Sequence, residues 1–189
     1  MHVQDVRPYG NCRFRAIAIC LGLHEDAWAS IRYNLIKELH TFKTRYIAIF
    51  DSDDQWTRVY NSLNFFALDR GGPIEHWMTM PYMGLLIASM FNTILHVLSA
   101  ASSFTYLPLW STAPPSYQHV AIAIGYINNN YYVQVALTDG YPMPPIMPQW
   151  VHFRDDCAAA WATPYAERIN AFMQYMHFRF PSKTIVLKD

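Results

Sequence analysis

The chain has 189 residues, of which 52% are hydrophobic and 15% charged, and its formal net charge is zero. This length predicts one domain, residues 1–189, with a substantial core. Because the charges are balanced and scattered, they exclude a protein that binds the phosphate backbone of a nucleic acid. Aromatic residues reach 16%, which indicates either a large aromatic core or an aromatic binding face.

The cysteines and the apolar segments indicate which kinds of metal site, disulfide and membrane segment to expect. Cys12, Cys20 and Cys157 are an odd number without CxxC spacing, so neither a disulfide framework nor a zinc site is expected. We therefore expect no metal, no cofactor and an intracellular location, in the cytoplasm or alternatively in the nucleus. Residues 83–98 form the most apolar stretch, which polar residues interrupt and which is too short to span a membrane.

The first third of the chain is predicted to be helical. Helices are predicted over residues 12–21, 25–42 and 46–50. The acidic turn 51–54 is predicted to begin a further helix that continues through Leu63. The second of these helices is the most regular, since its apolar residues recur at i, i+3, i+7 and i+11 as Trp28, Ile31, Leu35 and Leu39. Gly22 is placed to end the first helix.

The remaining two thirds alternate helix and strand signals. A helix over 83–91 leads into strands predicted over 93–99, 104–110, 119–127 and 131–137, with a tight hairpin at the three asparagines 128–130. Four prolines between 142 and 148 predict irregular structure, and Pro164 begins a last helix. The order predicts an α+β fold with a small, mostly antiparallel sheet flanked by helices.

Cys12 is the candidate nucleophile. It follows the turn Gly10-Asn11 and begins an apolar-periodic helix, where unpaired backbone N–H groups favour a thiolate and can hold an oxyanion. A helix-borne cysteine early and a β-hairpin late is the layout of papain-like thiol hydrolases. Two hypotheses apply to Asn11: it donates a hydrogen bond to a substrate oxygen, or it is a structural turn residue.

The segment Gly10-Asn11-Cys12-x-Phe14-Arg15-Ala16 resembles the signature of ovarian tumour (OTU) cysteine proteases, most of which remove ubiquitin. Further stretches resemble the OTU domains of plant transposon-related proteins, so the resemblance covers roughly residues 3–176. These stretches are His76-Trp77-Met78, Met83-Gly84, Ile87-Ala88-Ser89, residues 131–135, residues 142–145 and residues 161–165. The resemblance implies a papain-like OTU fold and a protein partner, ubiquitin or a ubiquitin-like protein.

Two positions depart from what the resemblance implies. The family has Asp three residues before the nucleophile and a catalytic His at the start of the last long strand, and the matching residues here are Tyr9 and Tyr131. A phenol with a pKa near ~10 neither activates a thiol nor protonates a leaving amine at neutral pH. Loss of a triad member costs on the order of 10⁴ in rate, so turnover is not expected.

The other histidines are weak candidates for a replacement base, and His152 is the least implausible of them. His119 begins the neighbouring strand but lies eight residues from Ile127, about 26 Å at ~3.3 Å per residue. His96 falls in an apolar strand pattern that is typical of a buried, satisfied histidine, and His152 lies near the proline-rich loop.

The leading hypothesis is therefore a pseudoenzyme that keeps Cys12 as a vestigial nucleophile and acts through protein binding or self-association. The alternative is an active OTU cysteine protease that removes ubiquitin with a rearranged base. A third hypothesis is a structural protein whose function depends on homo-oligomerisation. We expect neither nucleic acid nor a membrane as partner.

Overall fold

The structure, a computed structural model, describes residues 2–7, 10–67, 73–127 and 131–179. Its helices are α1 (Cys12–Cys20), α2 (Trp28–Thr41), α3 (Lys43–Phe50), α4 (Asp53–Leu63), α5 (Tyr82–Phe91), α6 (Pro148–Phe153) and α7 (Ala166–Arg179). Its strands are β1 (His2–Gln4), β2 (Ile94–Ser99), β3 (Phe104–Tyr106), β4 (Ala121–Ile127) and β5 (Tyr131–Ala136).

The helical first third is confirmed, with two local differences. Residues 25–27 form a 3-10 turn before α2 rather than its first turn. Phe42 leaves the helical region, with φ −114° and ψ 33°, and so separates α2 from α3. The acidic turn begins α4 as expected, because the Ser52 side chain accepts a hydrogen bond from the Gln55 amide at 3.1 Å.

The sheet has the order β1-β5-β4-β2-β3. Every neighbouring pair is antiparallel except β2 and β4, so the mostly antiparallel sheet is confirmed. Ile127 lies opposite Tyr131, as the hairpin prediction requires, while the asparagines 128–130 lie outside the described residues.

Two predictions made around prolines are wrong. The predicted strand over 104–110 ends at Tyr106, because Pro108 has no N–H with which to continue a ladder. Pro148 was expected to exclude regular structure, yet it begins α6, where a proline is tolerated because the first helical N–H needs no partner.

The helices and the sheet enclose the core on one side of the sheet. Helix α1 packs on β5 and β4, and α5 packs on α2 and β2. The core includes buried residues of these elements, among them Phe14, Ile17, Leu35, Leu86 and Ile124. A smaller apolar cluster of Ala123, Val133 and Val135 lies apart from this core.

Helix α7 is the least buried of these helices. It begins at Ala166, after a 3-10 turn that contains Pro164, and of its apolar residues Ile169 packs against the core whereas Met173 is exposed. In the part of the chain that the structure describes, no helix is both long and apolar enough to cross a membrane.

Candidate functional site

Cys12 is the first residue of α1 and lies against the start of β5. The turn before it contains Gly10 at a φ of 76°, a left-handed conformation that favours glycine. Amide N–H groups of the first helical turn have no partner within the helix, so the thiol lies next to partly positive donors. Cys12 itself is only 7% exposed. The predicted placement of the thiol at a helix N-terminus is confirmed, but the thiol lies below the surface.

Asn11 is held by a buried arginine. Its side-chain oxygen accepts hydrogen bonds from Nε of Arg32 at 3.1 Å and from Nη2 at 2.8 Å. Arg32 is fully buried, and burial lowers the pKa of its guanidinium to about 9, which leaves it charged at pH 7. The side-chain oxygen of Asn11 is therefore occupied by a buried contact of the fold, and the donor role expected for its N–H groups remains a prediction.

Tyr131 is the first residue of β5 and bridges to the segment that follows β1. Its hydroxyl lies 2.5 Å from Oδ1 of Asp5 and within hydrogen-bond reach of the Val6 carbonyl. Burial raises the pKa of Tyr131 to about 12, and the hydrogen bond to Asp5 and the nearby Cys12 act in the same direction. The phenol therefore stays protonated at neutral pH and is already engaged as a donor.

An arginine and three aromatic rings form the wall next to Cys12. The Arg13 guanidinium lies 4.3 Å from the ring centre of Tyr132, 5.9 Å from that of Tyr126 and 5.8 Å from that of Trp77. It also donates to the Met78 carbonyl. Cation–π contacts of this kind orient the cation and the rings together. The wall thus combines one cation with three aromatic rings, of which Tyr126 and Tyr132 contact each other with ring centres 4.7 Å apart.

An uncharged cavity of about 770 Å³ opens beside this wall. Tyr126 and Tyr132 line it together with Met80, Pro81 and Phe104, and a run of small residues at positions 99–103 closes one side. None of its lining side chains carries a charge. A cavity of this size and character suits an apolar segment with a few hydroxyl hydrogen bonds.

His76, His96 and His119 each have a ring hydrogen bond to a group other than Cys12. His76 lies in the segment that Arg32 joins to Asn11, and its Nδ1 lies 2.9 Å from the Asn61 carbonyl. His96 is buried, and its ring nitrogens lie 2.9 Å from the Thr105 hydroxyl and 2.5 Å from that of Tyr141. His119 precedes β4, at the opposite end from Ile127, and contacts the Tyr165 hydroxyl at 2.7 Å. The others lie in β1, in turns or on helices α2, α6 and α7: His2, His24, His40, His152 and His177.

The remaining cysteines and two of the tryptophans have different environments. Burial raises the pKa of the Cys20 thiol to about 12, which makes it unreactive. Cys157 is exposed, near the start of a 3-10 turn. Trp150 and Trp161 are buried core residues that donate to backbone carbonyls.

Sequence reasoning missed the partners that surround Cys12. Arg32 could have been found, because it falls beside Trp28 and Leu35 on the apolar stripe of α2, where a charge is unusual. Asp5 carried no such signal, since its role depends on the antiparallel pairing of β1 with β5. Tyr9, the other expected departure, lies outside the described residues.

The described residues contain no group of three or more His, Cys, Asp or Glu side chains arranged to hold a metal ion. The side chains at the site supply a thiol, phenols, an amide, a carboxylate and guanidinium groups.

No protein-family model and no curated protein matches this chain. Among solved structures, the OTU domain of OTUD1 superimposes with a TM-score of 0.52 at 14% identity, over 72% of this chain and 85% of that one. The chain has the fold of an OTU domain. The viral OTU domain protease from Dera Ghazi Khan virus also matches, with a TM-score of 0.50 at 12% identity, over 72% of this chain and 81% of that one.

The OTU fold confirms the α+β architecture and the fold that the sequence resemblance implied. At these identities the likeness concerns the fold alone, and the activity of each chain depends on its own site residues. The plant transposon-related type remains a prediction.

Proposed function

We propose that this chain, as a single OTU-like domain over residues 1–189, is a catalytically inactive relative of OTU proteases that acts in the cell by binding a protein or by self-association. Cys12 is its vestigial nucleophile. Tyr131 stands in place of the histidine and Tyr9 in place of the aspartate that the sequence resemblance implies. The single observation that carries this proposal is that the Tyr131 hydroxyl is protonated and donates to Asp5.

The state of Tyr131 argues against base catalysis. A base must accept the proton of Cys12, but the Tyr131 hydroxyl is a protonated donor to Asp5 and has a pKa of about 12. The rings of His76, His96 and His119 are each held by hydrogen bonds to groups other than Cys12. Without a base the rate falls by a factor on the order of 10⁴.

The surroundings of Cys12 support a binding role. The uncharged cavity and the aromatic wall at Arg13 offer apolar area, hydroxyl groups and one cation, which is the composition of many protein-binding surfaces. Ubiquitin or a ubiquitin-like protein is the first partner to test, because the sequence resemblance implies it. A second copy of the chain is the other candidate.

The deciding experiment restores the lost groups. Tyr9→Asp and Tyr131→His are introduced together, and cleavage of diubiquitin is compared with that of the wild type and of the same double variant carrying Cys12→Ala. We expect no cleavage by the wild type and Cys12-dependent cleavage by the restored variant. Cleavage by the wild type at high concentration that Cys12→Ala abolishes would overturn the proposal in favour of an active protease.

Binding is tested separately from catalysis. Titration of labelled ubiquitin with wild-type protein and with Trp77→Ala measures whether the aromatic wall contributes, and Trp150→Phe is the matched control in the core. Light scattering over a wide concentration range measures self-association. If the protein is monomeric at every concentration and does not bind ubiquitin, both the ubiquitin-binding and the self-association versions of the proposal are contradicted.

A further inference from the structure

Tyr131 joins the beginning of the chain to the candidate site. Strand β1 pairs with β5 through three residues, and the chain then continues through Asp5 and Val6 toward α1. The Tyr131 hydroxyl meets this continuation at Oδ1 of Asp5, at 2.5 Å, and at the carbonyl of Val6. Because a phenol has one proton, the two oxygens share a single donor.

The segment that Tyr131 contacts is fixed at its other end as well. Arg7 forms ion pairs with Glu25 and Asp26, which precede α2, and its amide donates to Glu25 at 3.0 Å. Val6 between the two anchors is only 5% exposed and belongs to the same apolar core as Cys12. The segment 5–7 is therefore held on one side by exposed ion pairs and on the other by Tyr131.

Cys12 lies close to this arrangement, near enough to influence the Tyr131 hydroxyl electrostatically. Tyr131 packs against the core cluster that contains Cys12 and Val6, and helix α1 packs on β5 at this point. Histidine is several ångströms shorter than tyrosine, and its ring would end well before the Asp5 carboxylate. The tyrosine at this position thus adds a contact that spans the site, besides removing a base.

We propose that Tyr131 is a latch: its hydroxyl ties residues 5–6 to the first residue of β5 and keeps Cys12 closed to solvent. A ligand that reaches Cys12 must first displace this contact. The inference concerns access to the site and goes beyond the proposed loss of catalysis, since it holds for a binding protein and for an enzyme alike.

Thiol labelling measures the latch directly. Wild-type protein is treated with a small maleimide, and the labelling rate of each cysteine is followed by mass spectrometry of tryptic peptides. Cys157 is exposed and serves as the fast reference, whereas Cys20 is largely buried and serves as the slow reference for global unfolding. We expect Cys12 in the wild type to react much more slowly than Cys157.

Variants distinguish the effect of the Tyr131 hydrogen bond on Cys12 labelling from the effect of its ring. Tyr131→Phe keeps the ring and removes the donor, and Asp5→Ala removes an acceptor. Loss of a hydrogen bond to a carboxylate predicts a rise in the Cys12 labelling rate of roughly fivefold to a hundredfold in Tyr131→Phe. Asp5→Asn keeps an oxygen acceptor but not the charge, so it is the matched control and its labelling rate should rise less than that of Asp5→Ala.

Hydrogen exchange provides a second measurement. Amides of residues 3–7 should exchange faster in Tyr131→Phe, while amides of β4 should not change. Equal labelling of Cys12 and Cys157 in the wild type would overturn the latch, as would unchanged Cys12 labelling in both Tyr131→Phe and Asp5→Ala. If Tyr131→Phe also exposes Cys20, the protein has unfolded, and the Asp5→Ala and Asp5→Asn pair then decides.

Discussion

Arg32 and Asn11 are joined by two hydrogen bonds, from Nε at 3.1 Å and from Nη2 at 2.8 Å to the same amide oxygen. The remaining N–H groups of the guanidinium donate to backbone carbonyls, those of Ser62 at 2.6 Å, Leu63 at 3.3 Å and His76 at 2.9 Å. The charged plane also lies 3.9 Å from the ring centre of Phe14. Arg32 of α2 thus connects the turn before Cys12, the end of α4 and the segment before α5.

Replacement of Arg32 should therefore destabilise the whole domain. Arg32→Ala leaves the Asn11 oxygen and three backbone carbonyls without this donor, and each buried unsatisfied polar group costs about 1–3 kcal/mol. We expect a loss of at least about 3 kcal/mol in the free energy of unfolding, measured by urea denaturation. Arg32→Lys should lose less, because it keeps a charge and three donors but not the planar fork.

The matched control for this experiment is Arg58→Ala on the exposed surface of α4. Surface changes of this kind stay within about 0.5 kcal/mol. Equal stability of Arg32→Ala and Arg58→Ala would contradict the structural role of the Arg32 network.

The sequence predicted the fold well because its periodic signals were strong. The stripe through Trp28, Ile31, Leu35 and Leu39 became the buried face of α2, since tertiary packing and helical spacing agreed there. The pairing of β2 with β4 was not predictable from local pattern, because a parallel pair depends on a long connection rather than on a turn.

The site was predicted less completely than the fold. The local turn placed Cys12 at a helix N-terminus, and that placement is confirmed. The contacts of Tyr131 with Asp5, and of Arg13 with Tyr132, join residues far apart in the chain and depend on the strand register. Local spacing carries no information about such contacts.

Glu38 is a buried carboxyl group whose replacement should stabilise the protein. Its Oε1 accepts from the Tyr46 hydroxyl at 3.1 Å and from Nε1 of Trp110 at 2.8 Å. Burial raises the pKa of Glu38, so the folded state favours the neutral acid, and the stability associated with it is lost as the pH rises through the folded pKa.

Glu38→Gln keeps the oxygen acceptor and removes the buried charge. We expect a gain on the order of 1 kcal/mol in the free energy of unfolding at pH 8, and a smaller difference at pH 5. Glu167→Gln on the exposed side of α7 is the control. A loss of stability in Glu38→Gln at both pH values would refute this account.

His96 should make the domain sensitive to acid. The Thr105 hydroxyl donates to the Pro144 carbonyl at 2.8 Å, so it accepts from Nδ1–H of His96, and the Tyr141 hydroxyl donates to Nε2. The ring is therefore neutral, and burial lowers its pKa to about 3, with the positive charge of Arg168 acting in the same direction.

A histidine with a lowered folded pKa stabilises the native state above its unfolded pKa of about 6.5, and this stability is lost as the pH falls from there toward the folded pKa. One proton corresponds to about 1.4 kcal/mol per pH unit. Urea unfolding between pH 7 and pH 4 should show this slope in the wild type and a shallower one in His96→Gln. Identical slopes would show that His96 does not contribute to acid sensitivity.

Gly84 is required by close packing of α5 on β3. A Cβ at this position would lie 2.3 Å from Cε1 of Tyr106, whose ring is buried. Gly84→Ala should therefore destabilise the domain by about 1–3 kcal/mol despite the higher helix propensity of alanine. Space created by Tyr106→Leu should recover part of the loss when the two changes are combined, which a double-mutant cycle in urea measures. Strictly additive losses would mean that the two side chains do not compete for the same space.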